Sequence, residues 1–219
     1  YCHITQLRSW LPDEVGGVMW FGPHAPHTTV FVPIYSGARS VPTPYATGSM
    51  AHYDRNVAWW AHSFVSNFAE LKWSYMIQDI QKRQAALEGR FFAAQAALEK
   101  RAVAALARKD VADARAILAG HSNDAAASTL ETWHALADYL ITKYNNGYIN
   151  TPGDINNVGQ EVGYPTWWLK AVGYEQFPSL SPTVCEPAPT TESLSQQKQQ
   201  GQLELLRAQL RRLGVTPEV

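Results

Sequence analysis

The sequence lacks the features that identify several large classes of protein. Two cysteines in 219 residues are too few for a disulfide framework, although Cys2 and Cys185 could form a single bridge. Lys and Arg form no basic block and the formal net charge is -1, which gives no electrostatic footprint for nucleic acid. No apolar run approaches the roughly 20 residues that span a bilayer. We therefore expect neither a nucleic-acid partner nor a membrane span.

Motifs of known chemistry are missing as well. The sequence has no glycine-rich phosphate loop, no Gly-x-Ser-x-Gly elbow and no His-Glu-x-x-His pair. His24 and His27 lie three residues apart, but no Cys, Asp or Glu cluster with ligand spacing accompanies them. The residues taken alone therefore predict no metal site and indicate no active site.

What is present is the composition of a globular protein, with 46% hydrophobic residues and eight tryptophans. Residues 1–50 are typical of strands and loops. A short apolar run at 18–21 and a β-branched, aromatic run at 28–33 predict strands, and a Pro- and Gly-rich loop follows from 36 to 48.

Residues 54–143 are typical of helices. Asp54 is the predicted cap, Gly89 and Gly120 are the predicted interruptions, and the last helix is expected from about 123 to 143. Apolar residues at spacings of three and four predict the inward face of the first helix: Val57, Trp60, Phe64, Phe68, Leu71 and Tyr75. The last helix should bury Leu130, Trp133, Leu136, Leu140 and Ile141.

Residues 145–178 are rich in glycine, asparagine and aromatic residues. Two interpretations stay open, an ordered aromatic loop packed on the body and a loop that binds a ligand. In the second, Asn145, Asn146, Asn156 and Asn157 would hydrogen-bond a peptide, although turn-forming asparagines need no such role. Residues 181–219 predict a Pro-rich linker and a short leucine-rich helix. That helix would dock on its own body or on a neighbouring subunit, and the second case would give a higher homo-oligomer.

Three blocks resemble the second half of the dipeptidase A-like cysteine peptidases, which belong to the N-terminal-nucleophile (Ntn) hydrolases. They are "QLRSWLPDEVGGVMWFGPHAPHTTVFVPIYSG" from Gln6 to Gly37, "YDRNVAWWAHSFVSNFAELKWSYMIQDIQ" from Tyr53 to Gln81, and "GYPTWWLKAVGY" from Gly163 to Tyr174. The resemblance implies an α+β fold, the four-layer αββα sandwich. Residues 1–180 would supply roughly its second half, and a long helical segment and the C-terminal helix would be additions.

The resemblance also implies a mechanism. In that family a cysteine becomes the first residue after a leader is removed, and its own amine acts as the base. Cys2 lies in the block of the second half and follows Tyr1, so its nitrogen is in a peptide bond and we do not expect it to be the nucleophile. The nucleophile is expected on an N-terminal companion chain of the same precursor, and the enzyme would hydrolyse short peptides without metal or organic cofactor.

Arg8 is the residue that the resemblance suggests for substrate binding. Related amidases place an arginine near the thiol, and the Arg8 guanidinium could hold the carboxylate of a dipeptide. An ordinary ion pair or a solvent-facing arginine at the end of a strand is the alternative interpretation of the same residue.

Two other functions fit the resemblance. One is a non-catalytic relative with a structural or assembly role, and the other is an amidase that acts on acyl amides. A lysosome-like or secreted location is expected from the family, in which Cys2 and Cys185 could pair.

Overall fold

The computed structural model describes residues 1–153 and 159–174. The chain divides into two compact units, Tyr1–Pro165 and Thr166–Val219. In the second unit, a short helix α6 spans Thr166–Ala171. Cys185, Asn156, Asn157, the domain boundary expected at 180 and the leucine-rich helix lie outside the described residues.

The strands of the first unit form an antiparallel sheet in the order β1-β2-β3. β1 spans Cys2–Leu7, β2 spans Gly17–Gly22 and β3 spans Val32–Tyr35. A short helix α1 at Asp13–Gly16 joins the first two strands. One face of the sheet packs on the helices, and the rings of Trp20 and Phe92 meet there at 4.4 Å. The strand predicted at 18–21 is confirmed as β2, whereas the run predicted at 28–33 overlaps β3 only at Val32 and Pro33.

Helices make up most of the rest. α2 spans Thr43–Ala46 and α3 spans Ala58–Ala69, followed by a 3-10 turn at Glu70–Lys72. α4 runs over Trp73–Ala107 and α5 over Val111–Tyr144 as a long hairpin. A second 3-10 turn at Asn145–Gly147 leads to the two-residue strands β4, Tyr148–Ile149, and β5, Gln160–Glu161, which pair with each other. No helix in the described part of the chain is long and apolar enough to cross a membrane.

The predicted helix breaks were wrong. Gly89 and Gly120 lie inside α4 and α5, and α5 begins at Val111 rather than near 123. No atom lies within 4 Å of the position that a Cβ would take on either glycine. No close contact therefore requires glycine at these two positions. A single glycine costs a helix about 1 kcal/mol, too little to break one that is packed along its length.

The break occurs instead at residues 108–110. Lys109 has a φ of 61°, its N–H donates to Leu106 O at 2.8 Å, and the N–H of Asp110 donates to Ala105 O at 3.0 Å. This is a Schellman ending of α4. The Asp110 side chain then accepts from the N–H of Asp113 at 2.9 Å and caps α5. The turn is closed by local hydrogen bonds on both sides.

The predicted inward face of α3 was wrong in part, since Val57 is buried and Phe68 packs against the core, but Tyr75 is 43% exposed. The buried residues of this helix are mainly small, and Phe64 is 42% exposed. The inward residues are Ala58, Ala61, His62, Ser63, Val65, Ser66 and Ala69. Small side chains therefore make up most of the buried face of α3, and the ring of Phe64 lies on its outer side. In α5, Trp133, Leu136 and Leu140 are buried as expected, whereas Ile141 is 40% exposed.

The mixed helix and sheet content confirms the α+β class. The sheet of β1 to β3 lies against the long helical hairpin, which gives one sheet layer and one helical layer. The four-layer arrangement that the resemblance implies stays a prediction, and so does the division at residue 180.

We predict that Lys109→Gly raises the free energy of unfolding by about 1 kcal/mol, because glycine adopts the left-handed conformation without the Cβ clash. Urea unfolding measures the change. The matched control is Lys100→Gly, at an exposed position inside α4, which should instead cost about 1 kcal/mol. If both variants lost the same free energy of unfolding, the substitution at Lys109 would not have released backbone strain.

Candidate functional site

Arg8, the predicted substrate-binding residue, is buried at the end of β1 and is 9% exposed. Its Nη1 donates to both carboxylate oxygens of Glu99, at 2.6 and 2.7 Å. Its Nη2 donates to Val15 O at 3.0 Å and its Nε to Gly16 O at 3.4 Å. The guanidinium therefore connects β1, α1 and the C-terminal third of α4.

Glu99 is the centre of a small polar cluster beneath the sheet. Besides Arg8, its Oε1 accepts from the Tyr35 hydroxyl at 2.9 Å and from the Gln95 amide at 2.9 Å. Gln95 also donates to Gln6 Oε1, which in turn accepts from the indole of Trp20. Burial, followed by the negative charge of Glu99, raises the pKa of the Tyr35 phenol. Tyr35 therefore remains a neutral hydrogen-bond donor to this carboxylate.

This arrangement fixes the two charges in place but leaves few of their hydrogen-bonding positions available to a substrate. Both oxygens of Glu99 are occupied, and three of the Arg8 nitrogens already donate. The structure thus places Arg8 in a buried ion pair, which was the alternative interpretation of the sequence. Its role in substrate binding stays a prediction.

The Cys2 thiol lies at the start of β1 and is partly buried. It donates to the carbonyl of His24 at 3.2 Å and, more weakly, to that of Gly22 at 3.7 Å. Burial raises the pKa of the thiol above its ordinary value. A thiol that donates to carbonyls and resists ionisation is a poor nucleophile.

The other sequence candidates are not brought together. His24 and His27 lie in the loop between β2 and β3, and the residues of 1–153 and 159–174 contain no group of three or more His, Cys, Asp or Glu that could hold a metal. Asn145 and Asn146 end α5 beside an open depression of about 360 Å³. Asn146 has a φ of 52°, so an asparagine suits this turn without any ligand.

His62 is a buried residue that the sequence gave no reason to select. It is fully buried in α3 and stacks on Trp133 of α5, with ring centroids 4.9 Å apart. Its Nδ1 lies 2.8 Å from the carbonyl of Ala58, which fixes the proton on Nδ1. Burial lowers the pKa of the imidazole to about 4.

Removing the charge of Glu99 should destabilise the protein. In Glu99→Gln the buried Arg8 loses its counter-charge, and breaking a buried pair costs about 3 kcal/mol. Urea unfolding at pH 7 measures the loss. The control is Arg108→Gln, because the Arg108–Asp113 pair is exposed at the surface and should contribute less than about 1 kcal/mol. Equal losses in the two variants would contradict a structural role for the buried pair.

His62 should make stability fall in acid. The folded pKa of about 4 lies below the ordinary 6.5, so the unfolded chain binds the proton first as the pH falls. The contribution of neutral His62 to the free energy of unfolding is fully present above pH 6.5. It falls by about 3 kcal/mol as the pH is lowered to 4.

The measurement compares urea unfolding at pH 7 and pH 4.5 in the wild type and in His62→Phe, which keeps a ring against Trp133. The variant should lose clearly less stability between the two pH values, and His52→Gln, at an exposed histidine, should behave like the wild type. An unchanged pH dependence in His62→Phe would exclude the titration of this residue as its cause.

The comparisons with known proteins bear on the sheet and the first helices. The model of peptidase family C69, the dipeptidase A family, matches residues 1–86. The match covers β1 to β3, α1 to α3 and the first part of α4, and it ends before Glu99. A search of curated proteins gave no match. Residues 1–86 are therefore similar to a segment of the dipeptidase A family of cysteine peptidases, and this match covers less than half of the 219 residues.

Proposed function

We propose that this chain is one part of a cysteine dipeptidase whose nucleophile lies outside the present sequence, on an N-terminal companion chain of the same precursor. The observation that carries the proposal is the match of residues 1–86 to peptidase family C69. The fold class is compatible with it, since residues 1–149 contain a sheet packed on helices.

The environment of Cys2 supports a nucleophile elsewhere. Its thiol donates to two backbone carbonyls, and no imidazole or carboxylate of a described residue hydrogen-bonds to the sulfur. Cysteine peptidases need a thiolate that forms readily and a base within hydrogen-bond reach. Cys2 has a raised pKa instead.

The free edge of β1 supports a companion chain. The N–H of Arg8 donates to Gly16 O, and the antiparallel register then directs the amide groups of His3, Thr5 and Leu7 away from β2. Leu7 is 77% exposed and Ile4 is 58% exposed. An uncharged, regular edge of six residues is a ready template for another strand. A strand from the companion chain would pair with this edge and reduce the exposure of the strand.

The proposed reaction passes through an acyl-thiol intermediate. The terminal amine of the nucleophile takes the thiol proton, sulfur attacks the peptide carbonyl, and the C–N bond breaks as the leaving amine receives that proton. Water then attacks the thioester, the C–S bond breaks, and the acid is released while a proton from the water restores the thiol. Amide N–H groups would stabilise the oxyanion. In this scheme Arg8 would reach a substrate carboxylate through its second Nη2 hydrogen, since Nη1 holds Glu99.

The test is intact-mass measurement of the natively purified protein, with N-terminal sequencing of every chain present. A second chain that begins with cysteine, together with turnover of dipeptides, is the expected result. A single folded chain that begins with Tyr1 and turns over no dipeptide would refute the proposal and favour the non-catalytic relative. Turnover of acyl amides in place of dipeptides would refute the dipeptidase specificity.

Cys2→Ser should leave dipeptide hydrolysis by the assembled protein within about twofold of the wild type, because this thiol neither ionises readily nor has a base. The measurement is kcat/KM for a dipeptide at pH 7. The control is replacement by serine of the cysteine that begins the companion chain, which should lower the rate at least about a thousandfold. A comparable loss in Cys2→Ser would make Cys2 the nucleophile.

A further inference from the structure

A small pocket lies between the segment before α3, α3 itself and α5. Its volume is about 190 Å³. Aromatic, aliphatic and charged side chains line it, together with alanines of the two helices. The lining includes Tyr53, Trp60, Phe64, Ile141, Arg55 and Asp138. The pocket is well below the roughly 300–1,000 Å³ of drug-sized sites, so its ligand must be small.

The walls of the pocket are held in place by hydrogen bonds outside it. The indole N–H of Trp60 donates to His52 O at 2.9 Å and to Ser49 O at 3.1 Å. His134 of α5 contacts the carbonyl of Arg55 through Nε2 at 2.8 Å. Tyr53 meets Trp60 edge-on, with ring centroids 5.5 Å apart. A pocket that is already formed requires little ordering when a ligand enters.

Two opposite charges line the same pocket. The side chains of Arg55 and Asp138 form no ion pair within the part of the chain that the structure describes, where Arg8–Glu99, Arg108–Asp113 and Lys143–Asp79 are the pairs. Both are exposed, so each can meet a ligand without first breaking a contact. A cation and an anion beside an aromatic wall complement a small zwitterion with an apolar side chain.

We propose that this pocket binds an α-amino acid zwitterion with a large apolar side chain, either free or as the two ends of a short peptide. Arg55 holds the carboxylate, Asp138 holds the ammonium group, and the side chain lies against Trp60 and Phe64. The assignment depends on the pocket and not on the proposed hydrolysis, so the two can fail separately.

The experiment titrates the full chain with leucine, leucinamide, N-acetylleucine and dileucine, with calorimetry and Trp fluorescence as readouts. Loss of one ligand charge should weaken binding about tenfold, the scale of a charge-assisted contact at a partly exposed site. Leucine should therefore bind more tightly than leucinamide and N-acetylleucine. Tighter binding of dileucine than of leucine would support the peptide source, and the reverse would support the free amino acid.

Two variants test which side chain binds which charged group of the ligand. Arg55→Gln should weaken the binding of leucine about tenfold and leave the binding of leucinamide unchanged. The preference for leucine over leucinamide should therefore disappear. Asp138→Asn should remove the preference for leucine over N-acetylleucine in the same way. Lys100→Gln, at an exposed cation of α4 that does not line the pocket, is the control and should change nothing.

The proposal is overturned if leucine and dileucine do not bind, or if both variants bind leucine as the wild type does. Dipeptide hydrolysis is measured separately on the assembled protein. Binding without hydrolysis would refute only the proposed function, and hydrolysis without binding would refute only this pocket.

Discussion

The ion pair between Arg8 and Glu99 is the contact on which the packing of the sheet against the long helices depends. Four elements meet at this one carboxylate: the end of β1 through Arg8, the end of β3 through Tyr35, α1 through the carbonyls that Arg8 contacts, and α4 through Glu99 itself. A buried charge is costly unless it is paired and its remaining hydrogen-bonding positions are filled. The cluster therefore fixes how far α4 can slide beneath the sheet, since a shift of one residue would separate the charges.

The distribution of large and small side chains on α3 has consequences on both sides of that helix. Alanine, serine and valine make up most of the buried face, where His62 stacks on Trp133 of α5. The aromatic residues that would ordinarily be expected in the core lie on the opposite side. There they meet the segment before α3 and form a firm, partly exposed wall. Close packing inside and an aromatic surface outside are two results of one helix orientation.

Local patterns in the sequence were sufficient to predict which segments form helices and strands. They were not sufficient to predict where the helices break or which segments contact each other. The β-branched and apolar runs of residues 1–50 and the helical composition of 54–143 predicted the right types, because these depend on neighbouring residues. Arg8 and Glu99 are 91 positions apart, and nothing in either segment indicates the other. The break at Lys109 was missed because a lysine rarely adopts a positive φ, although Asp110 before an apolar run is a helix-cap signal that could have located it. The resemblance predicted the peptidase family whose model matches residues 1–86, whereas the position of the nucleophile stays a proposal.

The family match stops at residue 86, but α4 continues without interruption from Trp73 to Ala107. In a continuous helix each residue has a fixed rotation and rise relative to the one before it. The positions of the residues after 86 are therefore tied to those of the residues before it. The counter-charge of Arg8, a residue inside the match, lies thirteen positions beyond its end (99 − 86). A protein shortened at residue 86 would keep the arginine and lose its partner. The limit of sequence similarity is therefore not a limit of the folding unit, and the alanine-rich half of α4 is needed by the part of the chain that carries the family resemblance.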